Sequence, residues 1–162
     1  MQRPEAESAS IVLIGSFNPV IFQPRWLEAQ QLIRPEEAEN ATVTTIQPGV
    51  TDFSTEWFHL QVLQERFRVA TEDPRQYGPL RDLVMGVFLA LSHTPVNKLG
   101  INRHFHFATK SIDDWHEIGH KLAPKAPWRE IMKMPGMRSV LIEGRREDTS
   151  EGVLHVKVEP SL

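Results

Sequence analysis

Residues 79–92, PLRDLVMGVFLALS, form the most regular stretch of this chain. Apolar side chains recur there at spacings of three and four residues, which places them on one side of an α-helix. Pro79 suits the first turn of that helix, and Thr94-Pro95 ends it. The pattern favours a helix packed on a protein core over a membrane helix or a partner-groove helix. Its apolar stripe consists of Leu80, Leu83, Val84, Val87, Phe88 and Leu91.

The sequence on both sides of this helix predicts β-strands. Residues 57–63 alternate between apolar and polar side chains, and residues 66–69 continue the alternation as a partner strand. After the helix, residues 99–108 alternate in the same way. One face of this later strand carries Leu99, Ile101, Phe105 and Phe107, with Arg103 among them.

A second helix is predicted over residues 112–123, where two prolines follow. Ser111 is its expected N-cap, because a serine hydroxyl can accept a hydrogen bond from the free backbone N–H groups of the first turn. On a helical wheel, Ile112, Trp115 and Leu122 define the buried side.

Shorter elements complete the prediction. Residues 1–9 are expected to be a flexible tail and residues 10–162 a single domain, in keeping with the chain length. The predicted fold class is α+β, with a mostly antiparallel sheet and helices packed on one face. The shorter elements are strands at 11–14, 42–46, 140–142 and 153–158, and helical turns that begin at Pro24, Pro35 and Trp128.

The elements before and after the long helix follow the same outline of strand, helix and two strands. Two β-α-β-β halves are therefore one expectation, and an unrelated α+β arrangement is the other. The repeated outline and the length resemble, in architecture alone, the small-molecule-sensing domains of the gyrase-inhibitor-like group. Similarity of architecture does not carry function.

Composition excludes several classes of protein. The chain has no cysteine, which excludes disulfides, thiolate metal sites and cysteine nucleophiles. A net charge of -3 with scattered Lys and Arg gives no electrostatic footprint for nucleic acid. The longest apolar run, residues 83–91, is too short to cross a bilayer, and the polar N-terminus lacks the apolar core of a signal peptide. We therefore expect a cytoplasmic protein.

One short motif indicates chemistry. Residues 116–120, HEIGH, match the H-E-x-x-H pattern of helical zinc hydrolases. Residues four apart lie one above the other on a helix, so His116 and His120 could bind the same zinc ion. The ion would lower the pKa of a bound water, and Glu117 would accept the proton of that water as the catalytic base.

The surroundings of this motif argue against zinc. In favour of zinc, His104 or His106 on the preceding strand could provide the third ligand and leave the fourth position for water, but the other neighbours of the motif do not fit. Lys121 directly follows the motif, and a cation close to a metal ion is repelled by it. The longer metzincin pattern requires a glycine and a third histidine where this chain has Ala123 and Ala126. We therefore favour a pair of half-exposed histidines on a core helix.

A polar cluster on the strand at 99–108 is the other candidate site. Arg103 lies on the face of Phe105 and would need an anionic partner if it were buried, either an internal carboxylate or a small anionic ligand. His59 could join the cluster from a neighbouring strand. The candidate ligand-binding residues are Asn102, Arg103, His104 and His106, with Trp115 as a wall of the pocket.

From these patterns we expect a non-catalytic binding protein that needs no cofactor. Its partner would be another protein, or a small molecule held over the sheet, and neither nucleic acid nor a membrane. Two alternatives remain open. One is a small zinc hydrolase that uses residues 116–120, and the other is a structural subunit of a larger assembly, which includes a homo-oligomer.

Overall fold

The computed structural model describes residues 3–148 and 151–160 of the chain. The chain divides into two compact units, Met1–Phe107 and Ala108–Leu162. The sequence predicts one domain over residues 10–162, but the strands of the two units belong to two separate sheets. The first strand begins at Ala6, so the tail predicted over residues 1–9 is wrong for residues 6–9, whose backbone pairs within a sheet.

Within the described residues, the first unit contains a six-stranded sheet with the strand order β2-β3-β4-β5-β1-β6. Every neighbouring pair of strands is antiparallel. This arrangement confirms the predicted α+β class. The strands are β1 (Ala6–Gly15), β2 (Thr42–Gln47), β3 (Val50–Ser54), β4 (His59–Leu63), β5 (Arg66–Thr71) and β6 (Val96–His106).

Helices cover one face of this sheet. The helix α3 (Tyr77–Ala90) corresponds to the stretch predicted from residues 79–92, and it packs on β1 and β5. The short helices α1 (Pro24–Ala29) and α2 (Pro35–Glu39) both begin at a proline, whose fixed φ suits a first turn. The core includes Ile11, Leu13, Phe22, Leu27, Phe53, Leu60, Val62, Phe67, Val69, Leu80, Leu83 and Val87.

Two features of the sheet differ from the prediction. Pro48-Gly49 ends β2 as predicted, but these residues form a tight turn into β3, a strand that the prediction lacks. The β-α-β-β outline is also wrong, because β1 pairs with β5 on one side and with β6 on the other. Strands from before and after α3 thus share one sheet, and the architectural resemblance loses its basis.

The second unit contains a helix and a hairpin. The helix α4 (Ile112–Leu122) has the predicted cap, since the Ser111 hydroxyl accepts a hydrogen bond from the backbone N–H of Asp114 at 3.2 Å. The predicted hairpin is also present, as β7 (Val140–Arg145) and β8 (Val153–Val158). A short 3₁₀-helix, Ala126–Glu130, lies between α4 and β7.

The buried side predicted for α4 is wrong. Ile112 is 71% exposed and Leu122 is also exposed, while Gly119 is buried. Helix α4 approaches the rest of the second unit at Gly119. A Cβ added to Gly119 would lie 3.5 Å from the Cβ of Met137. A glycine presents no side chain there, so the following segment approaches the helix on that side.

Among the described residues, the structure contains no helix with the length and apolar character needed to span a membrane.

Candidate functional site

Strand β6 lies at one edge of the six-stranded sheet. Its side chains on the same side of the sheet as the buried core are exposed. Ile101 pairs with Ile11, and Leu99 pairs with Leu13, on the neighbouring strand β1. Ile11 and Leu13 are 7% and 6% exposed, whereas Ile101 and Leu99 are 64% and 62% exposed. Directly paired residues share one face of a sheet. The buried core of the first unit therefore ends at β1.

Phe105 continues this exposed face two positions beyond Arg103. It pairs with Glu7 and is 46% exposed. We call Leu99, Ile101 and Phe105 the β6 strip. An exposed group of large apolar side chains with a polar rim is typical of a surface that binds another molecule.

Arg103 lies within the β6 strip but is not buried. Its guanidinium carbon is 4.6 Å from the ring centre of Tyr77 and 5.2 Å from that of Phe105. The Glu7 carboxylate is 4.0 Å away, so the internal acidic partner expected from the sequence is present at the limit of ion-pair distance. Since the arginine side chain is half-exposed, this pair does not require an added anionic ligand.

The opposite face of β6 carries the predicted polar cluster. Asn102, His104 and His106 pair with Ser10, Ser8 and Ala6 of β1, and all three are exposed. Among the described residues, the side chains of this cluster are joined to those of β1 by one long hydrogen bond, 3.4 Å from Asn102 Nδ2 to Ser10 Oγ. The three side chains thus share a face, as the sequence predicts.

His59 lies on the same face but belongs to a different network. The register places it in one row with Ala70, Ser10 and Asn102, three strand spacings from Asn102. At about 4.8 Å for each spacing, that separation is about 14 Å. His59 Nε2 instead contacts Asp52 Oδ1 at 3.0 Å.

Asp52 is the centre of this second network, and the sequence analysis misses it together with β3. Gln61 Nε2 donates to its other carboxylate oxygen at 2.8 Å. Partial burial alone would raise the pKa of Asp52, but the hydrogen bonds from His59 and Gln61 outweigh burial and lower its pKa below 3.8. The alternation of Val50, Asp52 and Ser54 with Thr51 and Phe53 is the signal that could have found it.

The H-E-x-x-H motif lies on α4 as predicted. His116 and His120 are exposed and line the same groove of the second unit. Glu117 pairs instead with Lys121, whose Nζ is 2.7 Å from Glu117 Oε1. Within the described residues, no group of three or more His, Asp or Glu side chains is close enough to hold a metal ion. The zinc site stays a prediction.

The groove has a volume of about 730 Å³ and is formed by α4 and the segment that follows it. The predicted site lacks the lysine and arginine residues of this groove, Lys125, Arg129 and Lys133, although their spacing of four residues is visible in the sequence. The residues that line it are Trp115, His116, Gly119, His120, Lys125, Arg129, Met132, Lys133, Met134, Pro135, Gly136 and Met137.

The predicted ligand-binding residues fall into two groups. Asn102, Arg103, His104 and His106 belong to the first unit, and Arg103 projects from the opposite face to the other three. Trp115 belongs to the second unit and lines the groove there. None of the other four predicted residues lines this groove, so a pocket with Trp115 as its wall beside them stays a prediction.

The hairpin of the second unit has an apolar face. Ile142 pairs with Val156, and Val140 pairs with Val158, so these four side chains share one face. Ile142 and Val156 are exposed. The other face is mixed: it carries Leu141 and Val153, and a contact of 2.9 Å between His155 Nε2 and Glu143 Oε2. Both units therefore expose an apolar surface on a β-strand.

Comparison with known proteins gives no relative from which a function could be inferred. No protein-family model matches this chain, and no curated protein or solved structure matches it significantly.

Proposed function

We propose that this chain is a non-catalytic binding protein that recognises a protein partner through the β6 strip. The observation that carries this proposal is the exposure of Ile101 and Leu99 beside buried residues of the same type on β1. Burying a leucine, isoleucine or phenylalanine side chain contributes about 1.5–3 kcal/mol. A partner that covered all three residues of the strip would gain a part of that amount at each, in proportion to the fraction still exposed, and the costs of association would offset some of it.

The charge of β6 indicates what kind of partner would bind to the β6 strip. Arg103 lies on the face of the strip and Lys98 on the opposite face, and β6 contains no acidic residue. A second copy of the strip would bring another Arg103 to the interface, whereas an apolar surface with an acidic rim would complement that cation. We therefore favour a different protein over a second copy of this chain.

As part of this proposal, the protein acts in the cytoplasm, since a chain without cysteine suits a reducing compartment.

Site-specific photocrosslinking tests the proposal. A photoreactive phenylalanine derivative replaces Ile101 in one variant and His104 in a control variant, and each is irradiated in cells that naturally make the protein. Both positions are exposed on β6, but they lie on opposite faces. Circular dichroism of both purified variants verifies that they are folded.

The proposal predicts one discrete covalent adduct from position 101 and none from position 104. An adduct of twice the mass of the chain would contradict a different partner and would support the homo-oligomer alternative. Equal crosslinking from both positions, or none from position 101, would refute binding through the β6 strip.

A further inference from the structure

We infer that the groove of the second unit binds a small organic anion, namely a phosphate or carboxylate group carried on an apolar body. This inference does not depend on the β6 strip, which belongs to the first unit. The groove combines three properties that point to such a ligand: its charge, a buried lysine and a flexible apolar wall.

Charge is the first property. His116 and His120 line the groove from α4, and Lys125, Arg129 and Lys133 line it from the following segment, with no acidic residue in the lining among the described residues. The whole chain, by contrast, has a net charge of -3. A concave surface with charges of one sign attracts ligands of the opposite sign. Lysine and arginine together are the usual side chains that hold phosphate and carboxylate groups.

Lys125 provides the second property. It is only 9% exposed, and its Nζ donates to the backbone oxygen of Gly119 at 3.4 Å, which is a long hydrogen bond. Within the described residues, no carboxylate lies within ion-pair distance of Lys125. An ammonium group has three donors, and buried charges in proteins are ordinarily paired. An anion in the groove would supply the missing partner.

The third property is the apolar wall. Trp115 and Met137 are half-buried in the groove, and the exposed Met132 and Met134 line its outer edge. Methionine side chains are unbranched and polarizable, so they adapt to ligands of different shape. An inorganic ion would leave this wall unused, whereas an organic phosphate or carboxylate would contact it with its apolar part.

The same geometry gives the H-E-x-x-H motif a different role from the zinc hypothesis. Glu117 is occupied by Lys121, so its carboxylate does not neutralise the basic side of the groove. Lys125, Arg129 and Lys133 would repel a divalent cation placed near the two imidazoles. We therefore assign His116 and His120 as hydrogen-bond donors to the anion.

Calorimetric titration of the full chain tests this assignment. The probes are phenyl phosphate, inorganic phosphate and the neutral benzyl alcohol, with Zn²⁺ alone as a separate titration. The groove variants are Lys125→Met, which keeps the apolar stem, and Arg129→Gln at an exposed position. Lys110→Gln is the matched control, because it removes one positive charge from the second unit at an exposed residue that does not line the groove.

We expect phenyl phosphate to bind more tightly than inorganic phosphate, and benzyl alcohol not to bind. Each groove variant should weaken phenyl phosphate binding by about tenfold or more, and the control by less than about twofold. Rising salt concentration should also weaken it. Absence of phenyl phosphate binding, or unchanged binding in Arg129→Gln, would overturn the assignment. Stoichiometric Zn²⁺ binding that is lost in His116→Ala would replace it with a metal site.

Discussion

Strands β1 and β6 are neighbours in one sheet and present the same residue types to the same side. Leu13 pairs with Leu99, and Ile11 pairs with Ile101. The two residues on β1 lie beneath α3 in the core, and the two on β6 are largely exposed. The comparison shows that an alternating pattern defines which side chains share a face of a strand. It does not define what covers that face.

The difference also separates stability from binding. Burial on β1 contributes to the free energy of folding of the first unit, because those side chains leave water when the chain folds. The side chains of the β6 strip are only about half-buried by folding, so part of that contribution is still available to them. A partner that covered the strip would gain that part on association. The predictions below test this separation, beginning with the largest expected effect.

Truncation in the core should cause the largest loss. Leu13→Ala removes a side chain that is 6% exposed, and we expect the free energy of unfolding to fall by about 2–5 kcal/mol. Urea denaturation of the wild type and the variant measures this difference. A loss below about 1 kcal/mol would contradict a tightly packed core at β1.

A buried hydroxyl should contribute less than packing. Thr51 is fully buried and donates from Oγ1 to the Pro19 carbonyl oxygen at 2.8 Å. Because Phe22 N–H also donates to that oxygen, Thr51→Val should lower the free energy of unfolding by only about 1 kcal/mol. The exposed Thr42→Val on β2 is the control and should change it little. Equal effects at both positions would contradict this account of the buried face.

The polar face of the sheet should make a small contribution to the free energy of unfolding, and that contribution should depend on pH. The folded state lowers the pKa of Asp52 below 3.8, so its stabilising contribution is present above pH 3.8 and is lost as the pH falls through the folded pKa. Asp52→Asn should reduce the free energy of unfolding by less than about 1 kcal/mol near neutral pH, since the network is partly solvated.

The difference between wild type and Asp52→Asn should shrink in acid, because protonation removes the charge from the wild-type carboxylate as well. Denaturation at several pH values from about 2 to 7 measures it. A difference that stays constant over this range would show that the charge of Asp52 contributes nothing.

The smallest effect should come from the β6 strip itself. Leu99→Ala removes a side chain of the same type as Leu13 from the same side of the sheet, but at 62% exposure. We expect the free energy of unfolding to change by less than about 0.5 kcal/mol in the purified chain. Urea denaturation again provides the measurement. A loss in the free energy of unfolding close to that of Leu13→Ala would mean that the β6 strip is buried in the purified chain.

Much of the fold could be predicted from the sequence. The stripe of α3, the alternation of β6, the Ser111 cap and the final hairpin depend on local periodicity and local hydrogen bonds, and the structure confirms them. β3 was not predictable with the same rules, because Pro48-Gly49 indicates a turn but does not indicate that a strand follows it. The pairing of β1 with both β5 and β6 depends on contacts between residues far apart in the sequence.

The candidate sites were less predictable for the same reason. The sequence places Asn102, His104 and His106 on one face of a strand, and the structure agrees. The exposure of the β6 strip depends on where α3 packs, and the basic groove depends on how the segment after α4 folds back against Gly119. Neither follows from periodicity.

Carbene footprinting of the dilute purified chain tests the central claim most directly, because it labels side chains in proportion to their accessibility. The account predicts strong labelling of Leu99 and Ile101 and little labelling of Leu13 and Ile11 in the same sample. Equal protection of the two pairs would contradict an exposed β6 strip, and with it the surface on which the proposed function depends.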